Sequence, residues 1–133
     1  MRCGIDIVQI SRIEDMACRH ERSLGKFFTE AELAYCRRRQ QQQYASMAGI
    51  FAAKEALFKA LGTGFRQGKW TDVEVSHTEL GAPVFILHGY YKEAAAAICP
   101  TAPALSVSHD GDYAVAQVVM EGYIHKEEER CRS

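Results

Sequence analysis

The chain has 133 residues, 47% of them hydrophobic and 25% charged, which excludes a disordered segment, a fibrous repeat and a pair of full domains. At this length roughly two thirds of the unfolded surface can be buried, enough for one core without disulfide staples. A formal net charge of -1 gives no global pull toward nucleic acid or an anionic membrane, so any charged recognition has to be local.

From Cys3 to Ile10 the residues alternate, Ile5 and Ile7 on one face and Asp6, Val8 and Ile10 on the other, which predicts a strand. A short helix is expected from Arg12 to about His20, with Ile13 and Met16 inward and Arg12 and Arg19 outward. Thr29 and Glu32 form a T-x-x-E capping box, so a second helix starts at Thr29, and the polar run Arg37 to Gln43 reads as its solvated end or a loop. Tyr44 to Leu61 is the longest helical pattern, with Met47, Ile50, Ala53, Leu57 and Leu61 at three- and four-residue steps, and Gly62-Thr63-Gly64 ends it. Val73 and Val75 begin a strand that Gly81-Ala82-Pro83 turns into Val84-Phe85-Ile86-Leu87, a hairpin. Tyr90 to Cys99 is a helix stopped by Pro100. Ala104 to His109 and Tyr113 to Met120 are strands joined through Asp110-Gly111-Asp112, and the charged tail from His125 has no periodicity. The order predicts an α+β fold, a mainly antiparallel sheet packed against helices, with one domain over residues 1–124 and a tail over 125–133.

No segment carries the roughly 20 consecutive apolar residues of a spanning helix, and the start of the chain lacks a signal-peptide pattern, so a cytoplasmic protein with no membrane contact is expected. Five cysteines at unrelated spacings, without a C-x-x-C pair, argue for free thiols against a disulfide framework or a thiolate zinc site. His20, His77, His88 and His125 show no helical metal pairing either.

The chemistry concentrates in the long helix. Glu55 and Lys59 stand at i, i+4, which by itself describes an ordinary surface ion pair. The Gly62-Thr63-Gly64 turn can offer backbone N–H groups to an anion, or simply cap the helix. Asp6, inside an apolar strand, needs a cation, a metal or water. Asp6 with Glu55 could supply the two-carboxylate arrangement typical of Mg2+, the alternatives being a salt bridge to a nearby arginine or a turn-side carboxylate. Ser106, Ser108 and His109 precede a turn, a position suited to touching a ligand or to plain solvation.

Three ordered blocks carry a resemblance. Gly4-Ile5-Asp6-Ile7-Val8-Gln9-Ile10 with Arg12-Ile13, Phe51-Ala52-Ala53-Lys54-Glu55-Ala56 with Lys59-Ala60-Leu61-Gly62-Thr63-Gly64, and Ser106-Val107-Ser108-His109 with Tyr113-Ala114-Val115-Ala116 resemble the holo-acyl-carrier-protein synthases. The length suits the short, single-domain branch of the 4'-phosphopantetheinyl transferases. The resemblance implies transfer of the 4'-phosphopantetheine arm of coenzyme A to a serine of apo acyl carrier protein, releasing adenosine 3',5'-bisphosphate. It implies Mg2+ on Asp6 and Glu55, with Glu55 or a water it orients taking the serine proton and Lys59 stabilising charge on the transferring phosphate. Gly62, Thr63 and Gly64 would let the coenzyme approach the backbone, and Ser108 and His109 would contact its nucleotide end across a subunit boundary, because the family is typically a trimer.

Carrier proteins are acidic, so a basic docking face is expected. Residues 12–39 hold seven Arg and Lys against five Asp and Glu, and Arg12, Arg19, Arg22 and Lys26 are the docking candidates. Two basic positions frequent in the family are Ile50 and Ala82 here, and Lys54, Arg66 or Lys69 would have to compensate at the coenzyme phosphates. The competing classes are a non-catalytic RNA- or protein-binding module, suggested by Arg37-Arg38-Arg39, and a magnesium-dependent phosphohydrolase using the same carboxylates.

Overall fold

A computed structural model describes residues 1–123; the expected tail from His125 lies outside the described residues. The chain runs β1 (Arg2–Gln9), α1 (Ile10–Arg19), α2 (Leu24–Phe27), α3 (Glu30–Arg38), α4 (Gln43–Leu61), β2 (Val73–His77), β3 (Pro83–Leu87), α5 (Gly89–Ile98), β4 (Ala104–Asp110) and β5 (Tyr113–Met120). The fold is α+β and every strand pair is antiparallel, but the strands form two sheets, β1-β5-β4 and the hairpin β2-β3.

Helix α4 is the axis. Fourteen of its 19 residues are buried, so it is enclosed on all sides and not only along the apolar stripe its periodicity suggests. It lies on the inner face of β1 and β5, where Ala114, Ala116 and Val118 leave room for it. Gly4 brings the two backbones together: a Cβ there would stand 2.0 Å from the Ala56 carbonyl oxygen and 2.7 Å from the Ala60 nitrogen. The alternation in β1 is as expected, but the buried face is the one carrying Gly4, Asp6 and Val8, while Ile5 and Ile7 are 59% and 64% exposed. Asp6 faces Ala116, which in turn faces Val107, so the carboxylate sits at the centre of the layer under α4.

Local signals explain the remaining elements. The Thr29 capping box forms in full: the Glu32 N–H donates to Thr29 Oγ1 at 3.1 Å and the Thr29 N–H to Glu32 Oε1 at 2.8 Å. The one-turn helix α2 has no counterpart in the sequence expectations, being too short to show a period. β4 and β5 join through the two-residue turn Gly111-Asp112, with Gly111 at φ 58°. No helix among the described residues is long and apolar enough to cross a membrane.

Candidate active site

The close approach at Gly4 sets two carboxylates and a lysine at one point. Lys59 Nζ lies 3.0 Å from Asp6 Oδ1 and also donates to the Ile5 carbonyl at 3.0 Å, so the expected Glu55–Lys59 surface pair is replaced by a contact across elements. Asp6 is 9% exposed, and its Oδ2, buried, receives no donor while both carboxyls are ionised. Glu55, half-buried, leans onto Asp6 from α4; burial, the Asp6 charge and a hydrogen bond to Asp6 push its carboxyl above the usual range, with Arg12 and Lys59 pulling the other way. A buried oxygen lacking a donor beside a second carboxylate fits a divalent cation, which would also relieve this repulsion. Asp6 and Glu55 would give such an ion two carboxylates and leave positions for water and phosphate oxygens; among the described residues no cluster of three or more His, Cys, Asp and Glu occurs.

Glu55 and Lys59 line a cavity of about 160 Å3 with Phe58, Gly64, Phe65 and Trp70. The aromatic walls were not legible from periodicity, although the lone tryptophan six residues past a glycine turn was a visible marker. The Gly62-Thr63-Gly64 turn resolves toward helix capping: Gly62, at φ 84°, donates to Lys59 O at 3.0 Å and Gly64 to Phe58 O at 3.3 Å. These two N–H groups are therefore occupied, and what the turn offers a ligand is open space, since nothing lies within 4 Å of a Cβ built on Gly64. Arg66 reaches back to the turn, its Nε donating to Thr63 O at 2.9 Å.

Lys54 has to be withdrawn from the phosphate-binding set. It is 0% exposed and donates to Glu32 Oε1 at 2.7 Å, Phe27 O at 2.6 Å and Trp70 O at 3.3 Å, so the ammonium is committed inside the protein. Burial lowers its pKa and the Glu32 charge opposes that, which makes it a structural cation tying α4 to α2, α3 and the segment before β2.

The docking candidates are all exposed. Arg12 sits 5.8 Å over the Phe51 ring and Lys26 5.6 Å over Phe27, two rings in edge contact beside Trp70, so this basic face borders the Glu55 cavity. Arg19 is held by Asp15 at 2.9 Å, and Arg22 stands on a turn of 3-10 helix. Ser108 and His109 are not brought to this cavity within one chain. β4 lies two strands from β1, roughly 10 Å, and His109 lines a separate cavity with Tyr35, Arg39, Ile50 and His77.

Comparison with known proteins decides the family. The model of the 4'-phosphopantetheinyl transferase superfamily matches residues 2–118. The chain belongs to that superfamily. A holo-[acyl-carrier-protein] synthase of Moorella thermoacetica is 40% identical over 127 residues, covering 96% of this chain and 98% of the relative. One from Desulforudis audaxviator is 44% identical over 120 residues, covering 90% and 91%. Among phosphopantetheinyl transferase structures, the Helicobacter pylori holo-[acyl-carrier-protein] synthase in complex with coenzyme A superposes with a TM-score of 0.77 at 33% identity, covering 90% of this chain and 99% of that one. The Bacillus anthracis synthase, in complex with CoA (3',5'-ADP), gives 0.74 at 33% identity, covering 92% and 96%.

Proposed function

We propose that this chain transfers the 4'-phosphopantetheine group of coenzyme A to a serine hydroxyl of apo acyl carrier protein, giving holo carrier and adenosine 3',5'-bisphosphate in the cytoplasm, in support of fatty acid or polyketide synthesis. The observation that carries this reading is the meeting of Asp6, Glu55 and Lys59 beside an aromatic-walled cavity in a phosphopantetheinyl transferase chain. The serine oxygen forms a bond to the phosphorus of the pantetheine phosphate while the pyrophosphate P–O bond breaks, and the serine proton passes to Glu55 or to a water it orients. Lys59 is within reach of charge developing on the transferring phosphate, and Asp6 fixes its ammonium there until substrate arrives. Asp6 and Glu55 would hold Mg2+, which when bound neutralises pyrophosphate charge.

The resemblance assigns the nucleotide end to Ser108 and His109, which one chain keeps apart from Glu55, and the exposed Ile5 and Ile7 lie on the same sheet face as Ser108. Both features favour a homotrimer whose sites lie between subunits, and sedimentation of the Ile5→Glu/Ile7→Glu variant should report dissociation. Arg12, Arg19, Arg22 and Lys26 form the carrier-docking face; reversal of Arg12 and Arg19 to Glu should raise the KM for the carrier, and an unchanged KM refutes that assignment. The deciding experiment is incubation with coenzyme A, Mg2+ and apo carrier, read by mass spectrometry. One added phosphopantetheine is expected, lost in Asp6→Ala and Glu55→Ala; an unmodified carrier with the native protein overturns the reading.

A further inference from the structure

The Glu55 cavity has two walls that come from different parts of the chain. One is α4, through Glu55, Phe58 and Lys59; the other is the segment between α4 and β2, through Gly64, Phe65 and Trp70. That segment has no helix or strand until the turn of 3-10 helix Trp70–Asp72, so regular structure does not fix how far the second wall stands from the first. Hydrogen bonds fix it instead. Near α4 the Gly64 N–H donates to Phe58 O at 3.3 Å, in the middle the Tyr91 hydroxyl donates to Gln67 O at 2.6 Å, and at the far end Lys54 Nζ donates to Trp70 O at 3.3 Å.

Lys54 precedes Glu55 on α4, and its ammonium holds a second element as well: Nζ donates at 2.6 Å to the carbonyl of Phe27, the last residue of α2 and the neighbour of the docking candidate Lys26. The remaining donor goes to Glu32 Oε1 at 2.7 Å, which balances the charge but does not line the cavity. A buried ammonium has three donors to satisfy. Here two of the three acceptors belong to the cavity wall and to the docking face. The side chains of those two residues also meet, the Phe27 and Trp70 rings in edge contact at 5.1 Å, and Trp70 stacks on Phe51 of α4 with centroids 5.1 Å apart and planes 17° from parallel.

We infer that Lys54 is a positioning residue of the transfer: from within α4 it sets where the Trp70 wall and the Phe27 docking segment stand relative to Glu55, and with them the alignment of the carrier serine on the coenzyme arm. This rests on the proposed transferase reading and deepens it by separating a residue that aligns the reactants from those that touch them.

The test measures steady-state transfer and urea unfolding of the full chain, native and as Glu32→Gln and Lys54→Met/Glu32→Gln, together with the emission and acrylamide quenching of Trp70, the lone tryptophan. Glu32→Gln breaks the buried pair but leaves Lys54 both carbonyls, so its urea midpoint should fall while kcat stays within about 3-fold and Trp70 emission is unchanged. The double variant no longer strands a charge, so its midpoint should exceed that of Glu32→Gln. Its kcat should nevertheless fall about 10- to 100-fold, with the KM values for coenzyme A and carrier within about 3-fold and Trp70 red-shifted and more readily quenched. Stability and rate then rank the two variants in opposite order, which a lysine that only holds the fold together cannot produce. If kcat follows the urea midpoint, or the double variant keeps native kcat and Trp70 emission, Lys54 is a structural cation only and the inference is overturned. A double variant that does not fold leaves the decision to Glu32→Gln: native kcat and emission at a lowered midpoint support the inference, and a loss of about 10-fold or more in kcat overturns it. If the native protein modifies no carrier, the transferase reading fails, whereas the positioning fails on an unchanged Trp70 emission in the double variant, so the two failures are distinguishable.

Discussion

Replacing Gly4 by alanine tests the packing that assembles the site. The added methyl would meet the Ala56 carbonyl oxygen at 2.0 Å and the Ala60 nitrogen at 2.7 Å, both backbone atoms of α4 that cannot rotate away. Ordinary contact requires 3.4 Å, so β1 and α4 must separate by about 1.4 Å across a layer packed at crystal-like density. Overpacking of this kind costs typically 1–3 kcal/mol, and a backbone-to-backbone clash belongs at the upper end, about 3 kcal/mol, a fall in Tm of roughly 10 °C for a chain of this size. The same displacement moves Asp6 away from Glu55 and Lys59, and a 1 Å misplacement of reacting groups costs on the order of 100-fold in rate. Urea unfolding and the carrier mass assay read the two effects. Gly25→Ala is the control, because nothing lies within 4 Å of its Cβ, and alanine in a helix should be neutral or mildly stabilising. If Gly4→Ala unfolds within about 0.5 kcal/mol of the native protein and keeps its rate, the close approach does not set the site.

Three further outcomes follow from the buried charges. Lys54→Met strands the Glu32 carboxylate in the core and should cost about 3–5 kcal/mol in urea unfolding, with Glu32→Gln added in the same chain recovering much of it; a single-variant loss below about 1 kcal/mol contradicts the buried pair. Because Glu55 is raised above its unfolded value, its contribution favours the metal-free folded state when protonated and is lost as pH rises through the raised pKa. Glu55→Gln should therefore flatten the fall in stability over that window and reduce the stabilisation by Mg2+ at neutral pH; identical pH profiles would refute it. The Cys36 thiol is pushed up to about 12 by burial and by Glu32, so in a Cys131→Ser background a thiol reagent should titrate Cys3 and Cys18 in the folded protein, and Cys36 and Cys99 only in denaturant.

What could be read from the sequence follows from the range of each signal. The Thr29–Glu32 box, the glycine stop after Leu61 and the tight β4–β5 turn are local, and each formed as the residues dictate. The period of β1 was local too, but which face would be covered depends on α4, 50 residues away, so the exposure of Ile5 and Ile7 was not legible. Spacing offered Glu55 as the partner of Lys59, whereas the Gly4 contact placed Asp6 nearer. Lys54 was misread for a related reason: in a helix enclosed on every side, a lysine between alanines and a glutamate gives no sign that its ammonium points inward.

Glu32 accepts from the Thr29 N–H, the Lys54 ammonium and the Val75 N–H at 2.9 Å, so a single side chain is shared by a helix start, the central helix and an edge hairpin. Segments hinged on one acceptor cannot fray in turn. The Thr29 and Val75 amides should therefore exchange with deuterium at one common rate, that of whole-molecule opening, although one lies at a half-buried helix start and the other inside the core.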